Sequence, residues 1–461
     1  MVYQLSVEQF KNSKMFDSNG KLHHNSGNRF KLFPFVANNN SAPVLELESL
    51  LGSFLCRIEE KTPKKITAAE LVEKLKVDTE IQVGQEELFF ETIRQLFFIS
   101  NGTIRPLNLQ MIEHIPCSEM SENRIAEYLV DVLGEVDSLR LSLADAKSKA
   151  SSNVLEAFVL SKLQFENQSR GEVSLQYFRI VESLRTSFEE DFAYVLEDPK
   201  RLREYLVELL ELYFFSYTAQ ASLQLNRFMD GERDNNIPLY FSLAWEKTSQ
   251  SRLCFTEGWQ KLQSAIEKIF AHAITLEILN QTNEGSELVD YIRLNEIVSS
   301  DEKDKEVSEQ IDALTAIYRA SITDCVEMNE LEKKDSPSGM TAASLRFLFD
   351  SIKIQFENTG RIRAYVSYAN KFESYCKKFL KSRGRSGMML NLSEETLIFI
   401  TKLCIKNQEQ MRLKDVFKAF ERRGIFLDDI SKEQATDYYE KLNLIEKKSD
   451  SGDAKYVKRI L

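Results

Sequence analysis

Apolar positions along this chain recur mostly at the spacing of an α-helix. "TAAELVEKLK" puts Leu71, Val72 and Leu75 on one face behind Thr67 as a cap. "GQEELFFETIRQLFFIS" predicts a second helix, with Leu88, Phe89, Ile93, Leu96 and Phe97 as its apolar side. Before them, turn formers surround a short aromatic run, Phe30 to Val36, which reads as extended or irregular. From Ser118 to Gly384 the helical period is nearly unbroken. "SENRIAEYLVDVLG" has Ser118 or Ser121 as its cap and stops at Gly134. Pro199, placed where a first turn tolerates it, opens "RLREYLVELLELYFFSYTAQASLQLNRFMDG", which is apolar on most sides. The run from Tyr240 to Asn280 reads as one long helix interrupted near Gly258, and "SSDEKDKEVSEQ" and "KKDSPSGM" read as separators.

The pattern changes near the C-terminus. "SYCKKFLKSRGRSGMMLNLS" passes from helix into a Gly/Ser/Arg stretch. Ser393 then caps a short helix with Glu394 and Glu395 in its first turn. "RLKDVFKAFERRG" spaces Leu413, Val416, Phe417 and Phe420 for burial and stops at Gly424. "SKEQATDYYEKLNLI" has Ser431 and Gln434 at capping-box spacing, with Ala435, Tyr438, Tyr439 and Leu442 inward. A hairpin turning at "SDSG" closes the chain. Three short helices and a β-hairpin are the order of a winged helix-turn-helix. The expected architecture is therefore mainly α. A mixed, mostly helical region (1–117) and a helical bundle (118–384) form the body, and a winged-helix domain with a small β-hairpin wing (385–461) follows. No repeat of fixed period is evident.

Composition fits that picture. Only 8 Pro and 16 Gly among 461 residues favour long helices over a turn-rich β fold. "MVYQLSVEQFKNSKMF" lacks the apolar core of a signal peptide. "LVELLELYFFSY" is about half the length of a membrane span and carries Glu208 and Glu211. Six scattered cysteines without a CxxC pair fit a reducing compartment, so the expected location is cytoplasmic, with no membrane partner.

Charge adds a division that hydropathy does not show. The net charge is −11, yet residues 371–461 hold 20 Lys and Arg against 14 Asp and Glu. The other 370 residues hold 40 against 57. A basic module on an acidic body suggests phosphate contact, because clustered cations gain by releasing counterions from a nucleic-acid backbone. The candidates are Lys377, Lys378, Lys381, Arg383 and Arg385 before the domain, and Lys447, Lys448, Lys455, Lys458 and Arg459 in the wing. Against this, the helix that would enter a major groove exposes Glu433, Asp437 and Glu440 beside Lys432 and Lys441. Base edges are usually read by Arg, Lys, Asn or Gln. Wing-to-phosphate contact and protein docking both stay open on this evidence.

Catalytic chemistry is hard to find. The chain has no G-x-x-x-x-G-K-[ST], H-E-x-x-H, G-x-S-x-G or dinucleotide fingerprint. His23 and His24 stand in a polar loop without partner ligands, and His272 on an apolar helix reads as a core imidazole. "EEK" (Glu59 to Lys61) and "EKK" (Glu332 to Lys334) have the Glu-x-Lys spacing or near-spacing of metal-dependent nucleases. Such strings arise by chance in a chain with 28% charged residues. "SDSGD" (Ser449 to Asp453) alternates oxygen ligands but lacks the rest of a calcium loop. Trp245 and Trp259 flank Arg252 at one heptad each, which fits a bundle seam better than base stacking. The expectation is a chain that is no enzyme, with no metal and no cofactor.

Two runs, "YFSLAWEKTSQSRLCFTEGW" with "KIFAHAITLEILN" and the closing "EKLNLIEKKSDSGDAKYVKRIL", resemble the DptG family of DNA phosphorothioation-dependent restriction proteins. Chain length and helical character agree with that resemblance. It implies a bacterial, anti-phage defence role as one subunit beside larger DptF- and DptH-like ATPase or nuclease partners. Such a system attacks DNA lacking backbone sulphur, while a companion modification set protects the host. The resemblance brings no catalytic residues. The resulting expectation is a non-catalytic subunit bridging DNA and motor-nuclease partners. The alternative is a pure protein scaffold whose winged helix binds partner subunits and not DNA.

Overall fold

A computed structural model describes all residues except 1–2, 25–26, 38–46, 81, 83, 101, 116–119, 150–152, 167–175, 244, 284–286, 385–386, 449–453 and 461, and the side chains of 47–49, 121, 245, 448 and 454. The chain is mainly helical, 60% helix and 8% strand, with a few small sheets. It divides into two compact units, a smaller one of residues 44–176 and 185–214 and a larger one of 1–43, 177–184 and 215–461. The expected segments 1–117, 118–384 and 385–461 cross these units. The middle segment contributes to both, and the last is part of the larger.

In the smaller unit, α1 (Leu47–Glu59), α4 (Met120–Leu133) and α5 (Val136–Lys149) pack together, with α7 (Arg185–Leu196) on α5. Phe54, Phe188, Phe192 and Tyr213 meet edge-on or stacked in its core. A second core joins α2 (Ala68–Val77), α3 (Glu86–Phe97) and α6 (Val154–Leu160) through Leu71, Leu75, Phe90, Ile93, Phe97 and Val159. Thr67 caps α2 as its sequence predicts, and the structure adds Glu70 as the second half of a full capping box. On α3 the expected face is rotated. Phe90 is buried, whereas Leu88 is 72% and Leu96 46% exposed. The expected cap Ser118 lies outside the described residues, and Ser121 falls inside α4.

α8 (Pro199–Asn226) begins in the smaller unit and ends in the larger. Its first turn is capped by the Asp198 carboxylate, which accepts from the N–H of Lys200 and Arg201. In the larger unit, α9 (Ile269–Gln281) is buried all round, as its unbroken apolar sequence requires. Against it lie α11 (Met340–Glu357) and α12 (Ile362–Tyr375), with α10 (Asp301–Ala320) pairing along α11. The polar run "SSDEKDKEVSEQ" is therefore the start of a helix and no separator. Ser300 caps α10, and Asp301, Glu302 and Asp304 crowd its positive end. His272 is a core imidazole, 3.0 Å from the Tyr291 hydroxyl.

The run 240–280 is also not one helix. It opens with β1 (Tyr240–Phe241), makes one 3-10 turn at Trp245–Lys247, and enters its longer helical stretch near Cys254 through a wide turn that breaks at Gly258. A Cβ there would lie 2.9 Å from the Tyr240 carbonyl, so only glycine fits. The Gly/Ser/Arg stretch is a hairpin, β2 (Leu380–Ser382) antiparallel to β3 (Met388–Leu390). Ser242 bridges Asn391 in parallel, and β1 pairs in parallel with β5 (Phe426–Leu427). These strands tie the closing residues to segment 240–242.

The closing residues run α13 (Glu394–Ile405), β4 (Gln410–Arg412), α14 (Leu413–Glu421), β5, α15 (Asp429–Lys441), β6 (Ile445–Lys448), β7 (Ala454–Lys458). β4, β7 and β6 form an antiparallel sheet in that order, with Val457 buried between Met411 and Ile445. Ile400, Val416, Phe420, Ala435 and Tyr439 fill the core beneath it. α13 is capped by Ser393 and α14 ends before Gly424 at φ +77°, both as the sequence predicts.

Candidate nucleic-acid interface

The position of α15 is set by a buried ion pair. The expected cap Ser431 lies a turn inside the helix; Asp428 is the cap, and its carboxylate accepts from the Ser431 N–H. Arg252 holds that carboxylate with both arms of its guanidinium, Nε to Oδ2 at 3.0 Å and Nη2 to Oδ1 at 2.6 Å. Its Nη2 also donates to the Ser431 hydroxyl at 2.9 Å, and the Leu243 N–H donates to the same oxygen. Arg252 and Asp428 are 6% exposed each. Burial opposes ionisation of Asp428, but the hydrogen bonds from Arg252 and Ser431 outweigh it and hold the carboxyl at about 2. Arg252 is thus an anchor for α15. Trp259 is buried, and the side chain of Trp245 is outside those described.

The free face of α15 is acidic. Asp429, Glu433, Asp437 and Glu440 are exposed, with Ile430 and Leu442 at its two ends. Lys432 turns aside to Glu421 at 3.8 Å, and Glu440 accepts from Lys455 at 3.0 Å. Only Lys441 adds exposed positive charge along this helix. The start of α15 is held by Leu243, Arg252 and Cys254, and its remainder presents carboxylates. A groove lined with phosphates would be repelled by this face.

The candidate cations fall on two separate hairpins. Lys377 and Lys378 are exposed in a single 3-10 turn, Lys377–Phe379, and Lys381 is exposed on β2. Arg383 is half-buried at the hairpin turn, where its N–H bonds to the Gly387 carbonyl. Arg385 lies outside the described residues, as does the "SDSGD" turn. On the second hairpin Lys447 faces Lys455 across the ladder, and the alternation of a strand sends Lys458 to the opposite face. Lys447 and Lys458 are exposed. Lys448 closes β6, its side chain not being among those described. Exposed Arg459 donates to Asn407 at 3.2 Å. The structure thus sets Lys447 opposite Lys455 on one sheet, with Lys381 and Arg383 on the β2–β3 hairpin and Lys377 and Lys378 in the turn before it.

The other chemical candidates make ion pairs and hydrogen bonds of their own. His23 pairs with Asp17 at 3.0 Å and His24 meets the Tyr318 hydroxyl at 2.8 Å. In the smaller unit Lys147 joins Glu59, at 2.6 Å, to Glu113, while Lys61 also pairs with Glu59. Lys333 of "EKK" bonds Asp312 and Ser344, each at 2.7 Å. Among the described residues no three His, Cys, Asp or Glu side chains gather as metal ligands would. The described cysteines are free thiols, and among the described residues no helix is long and apolar enough to cross a membrane.

Sequence reading missed Arg252 and Asp428, whose pairing spans 176 positions. A buried guanidinium leaves no local signature, although an arginine between two tryptophans marks the site as one to examine. No protein-family model matches the chain, and no curated protein is detectably similar to it.

Proposed function

We propose that residues 393–460 are a winged-helix module, and that the chain is a non-catalytic DNA-handling subunit of a phosphorothioation-dependent restriction system. The observation that carries the module is the order α13, β4, α14, α15, β6, β7 with the sheet order β4–β7–β6. That is the connectivity of a helix-turn-helix closed by a wing. The cations of its last hairpin and of β2–β3 favour contact with a phosphate backbone and not with base edges, since α15 offers carboxylates. The acidic remainder of the chain is left to dock DptF- and DptH-like ATPase or nuclease partners, which would supply cleavage and energy. The defence role rests on the resemblance described above.

Replacing Lys447, Lys448, Lys455, Lys458 and Arg459 with Ala is expected to weaken binding to a labelled duplex and to flatten its salt dependence. Fluorescence anisotropy at two salt concentrations measures both. A second reading has a specific observation behind it. The acidic, partly enclosed α15 suits a scaffold whose winged helix binds a protein. Under that reading the full chain binds no duplex at low salt but copurifies with the products of neighbouring genes.

A further inference from the structure

A row of cations that the wing does not include runs along α14. Its buried side is formed by Val416, Phe417, Ala419 and Phe420. Diametrically opposite, at a spacing of four residues, stand Lys414, Lys418 and Arg422, all exposed. Four residues of helix rise about 6 Å, so the three charges make a straight ridge about 12 Å long. Among the described residues none of the three side chains takes part in an ion pair or hydrogen bond.

That arrangement opposes the helix that carries it. Like charges at i,i+4 repel, where opposite charges would attract. Elsewhere the chain uses the favourable form, in Lys149–Asp145, Arg201–Glu197, Lys261–Glu257 and Lys353–Glu357. The acids flanking the ridge are engaged by other cations. Glu421 lies 3.8 Å from Lys432, and Asp415 acts on Arg412, which also holds the Tyr456 hydroxyl at 3.1 Å. The helix dipole favours Lys418 and Arg422 at the C-terminal end of α14, but local pairing does not account for three cations in register.

We infer that this ridge is a phosphate-binding surface, with Lys414, Lys418 and Arg422 each facing a phosphate of a nucleic-acid duplex backbone. The inference rests on the DNA reading above and moves part of the contact to the outer face of α14. A phosphodiester strand fits because it is a linear array of fixed negative charge that needs no pocket. An open cleft of about 670 Å³ adjoins the ridge, lined by Lys418 and Arg422 together with Asp234, Asp415 and Glu421. These three carboxylates disfavour phosphate there, so the strand lies along the ridge and not in the cleft.

The test titrates the full chain against a short labelled duplex over a range of salt. Each of Lys414→Gln, Lys418→Gln and Arg422→Gln is expected to lower the slope of log K against log salt by about 0.9, and the triple variant by the sum. The charge-conserving triple Lys414→Arg, Lys418→Arg, Arg422→Lys is expected to retain the slope. A ridge variant with unchanged slope, when the five-alanine wing variant has lost it, overturns the ridge and leaves the wing reading standing. Loss in the ridge variant alone supports the ridge and overturns the wing. Absence of duplex binding by the unaltered chain at low salt overturns both. Ridge-dependent binding of polyglutamate without binding of duplex also overturns the proposal, in favour of an acidic protein partner.

Discussion

Arg252 and Asp428 show how one pair of side chains decides the placing of an element. Both are buried, and each satisfies the other with two hydrogen bonds. Removing one partner strands the other charge, so Arg252→Ala is expected to destabilise the larger unit by about 3–5 kcal/mol in urea unfolding. The pair also imposes a pH dependence. The carboxyl of Asp428 sits at about 2 in the folded chain against 3.8 unpaired, so its contribution is full above about pH 4. That contribution disappears as the pH falls from 4 toward 2, and Asp428→Asn should remove this part of the acid limb. His272 acts at higher pH. Burial first, and then Lys268, push its imidazole well below 6.5, so it is neutral in the folded chain. The unfolded chain binds the proton more readily, and stability is lost as pH drops below about 6.5. His272→Phe is expected to flatten the pH dependence of the unfolding midpoint between pH 7 and 5, and an unchanged curve would contradict this.

At the scale of elements, what the sequence made legible was whatever had a local cause. Thr67 before α2, Ser393 before two glutamates, and Gly424 after α14 are caps that act within a turn, and each falls where it was expected. Thr67→Ala is expected to cost the smaller unit about 1 kcal/mol, read as faster amide exchange in α2. Gly424→Ala forces a side chain into a left-handed backbone and should cost about 1–2 kcal/mol. Other features had causes farther away. The β2–β3 hairpin pairs 380–382 with 388–390 around a Gly-rich turn, and its composition alone reads as a linker. Leu88 and Leu96 sit at helical spacing but on the exposed side of α3, because the second core takes Phe90 and Phe97. The start of α15 moved from Ser431 to Asp428 because Arg252 comes to meet it.

For the whole molecule, the helical class and the charge asymmetry were both readable, since each sums over many residues. The unit boundaries were not. One unit is assembled from three stretches of chain and the other from two, and no composition change marks residues 176 or 184. The candidate site was half legible. Its cations before and within the closing hairpin were visible, but not the β2–β3 hairpin that carries Lys381 or the row on the outer face of α14. The acidic face of α15 turns the proposed module away from base reading and toward backbone contact by its wing. Amide hydrogen exchange of the full chain, with and without a short duplex, tests that claim most directly. The account predicts slower exchange in β6, β7 and α14 on adding the duplex, and no change along the exposed turns of α15. Protection concentrated in α15, or none anywhere between residues 393 and 460, would contradict it.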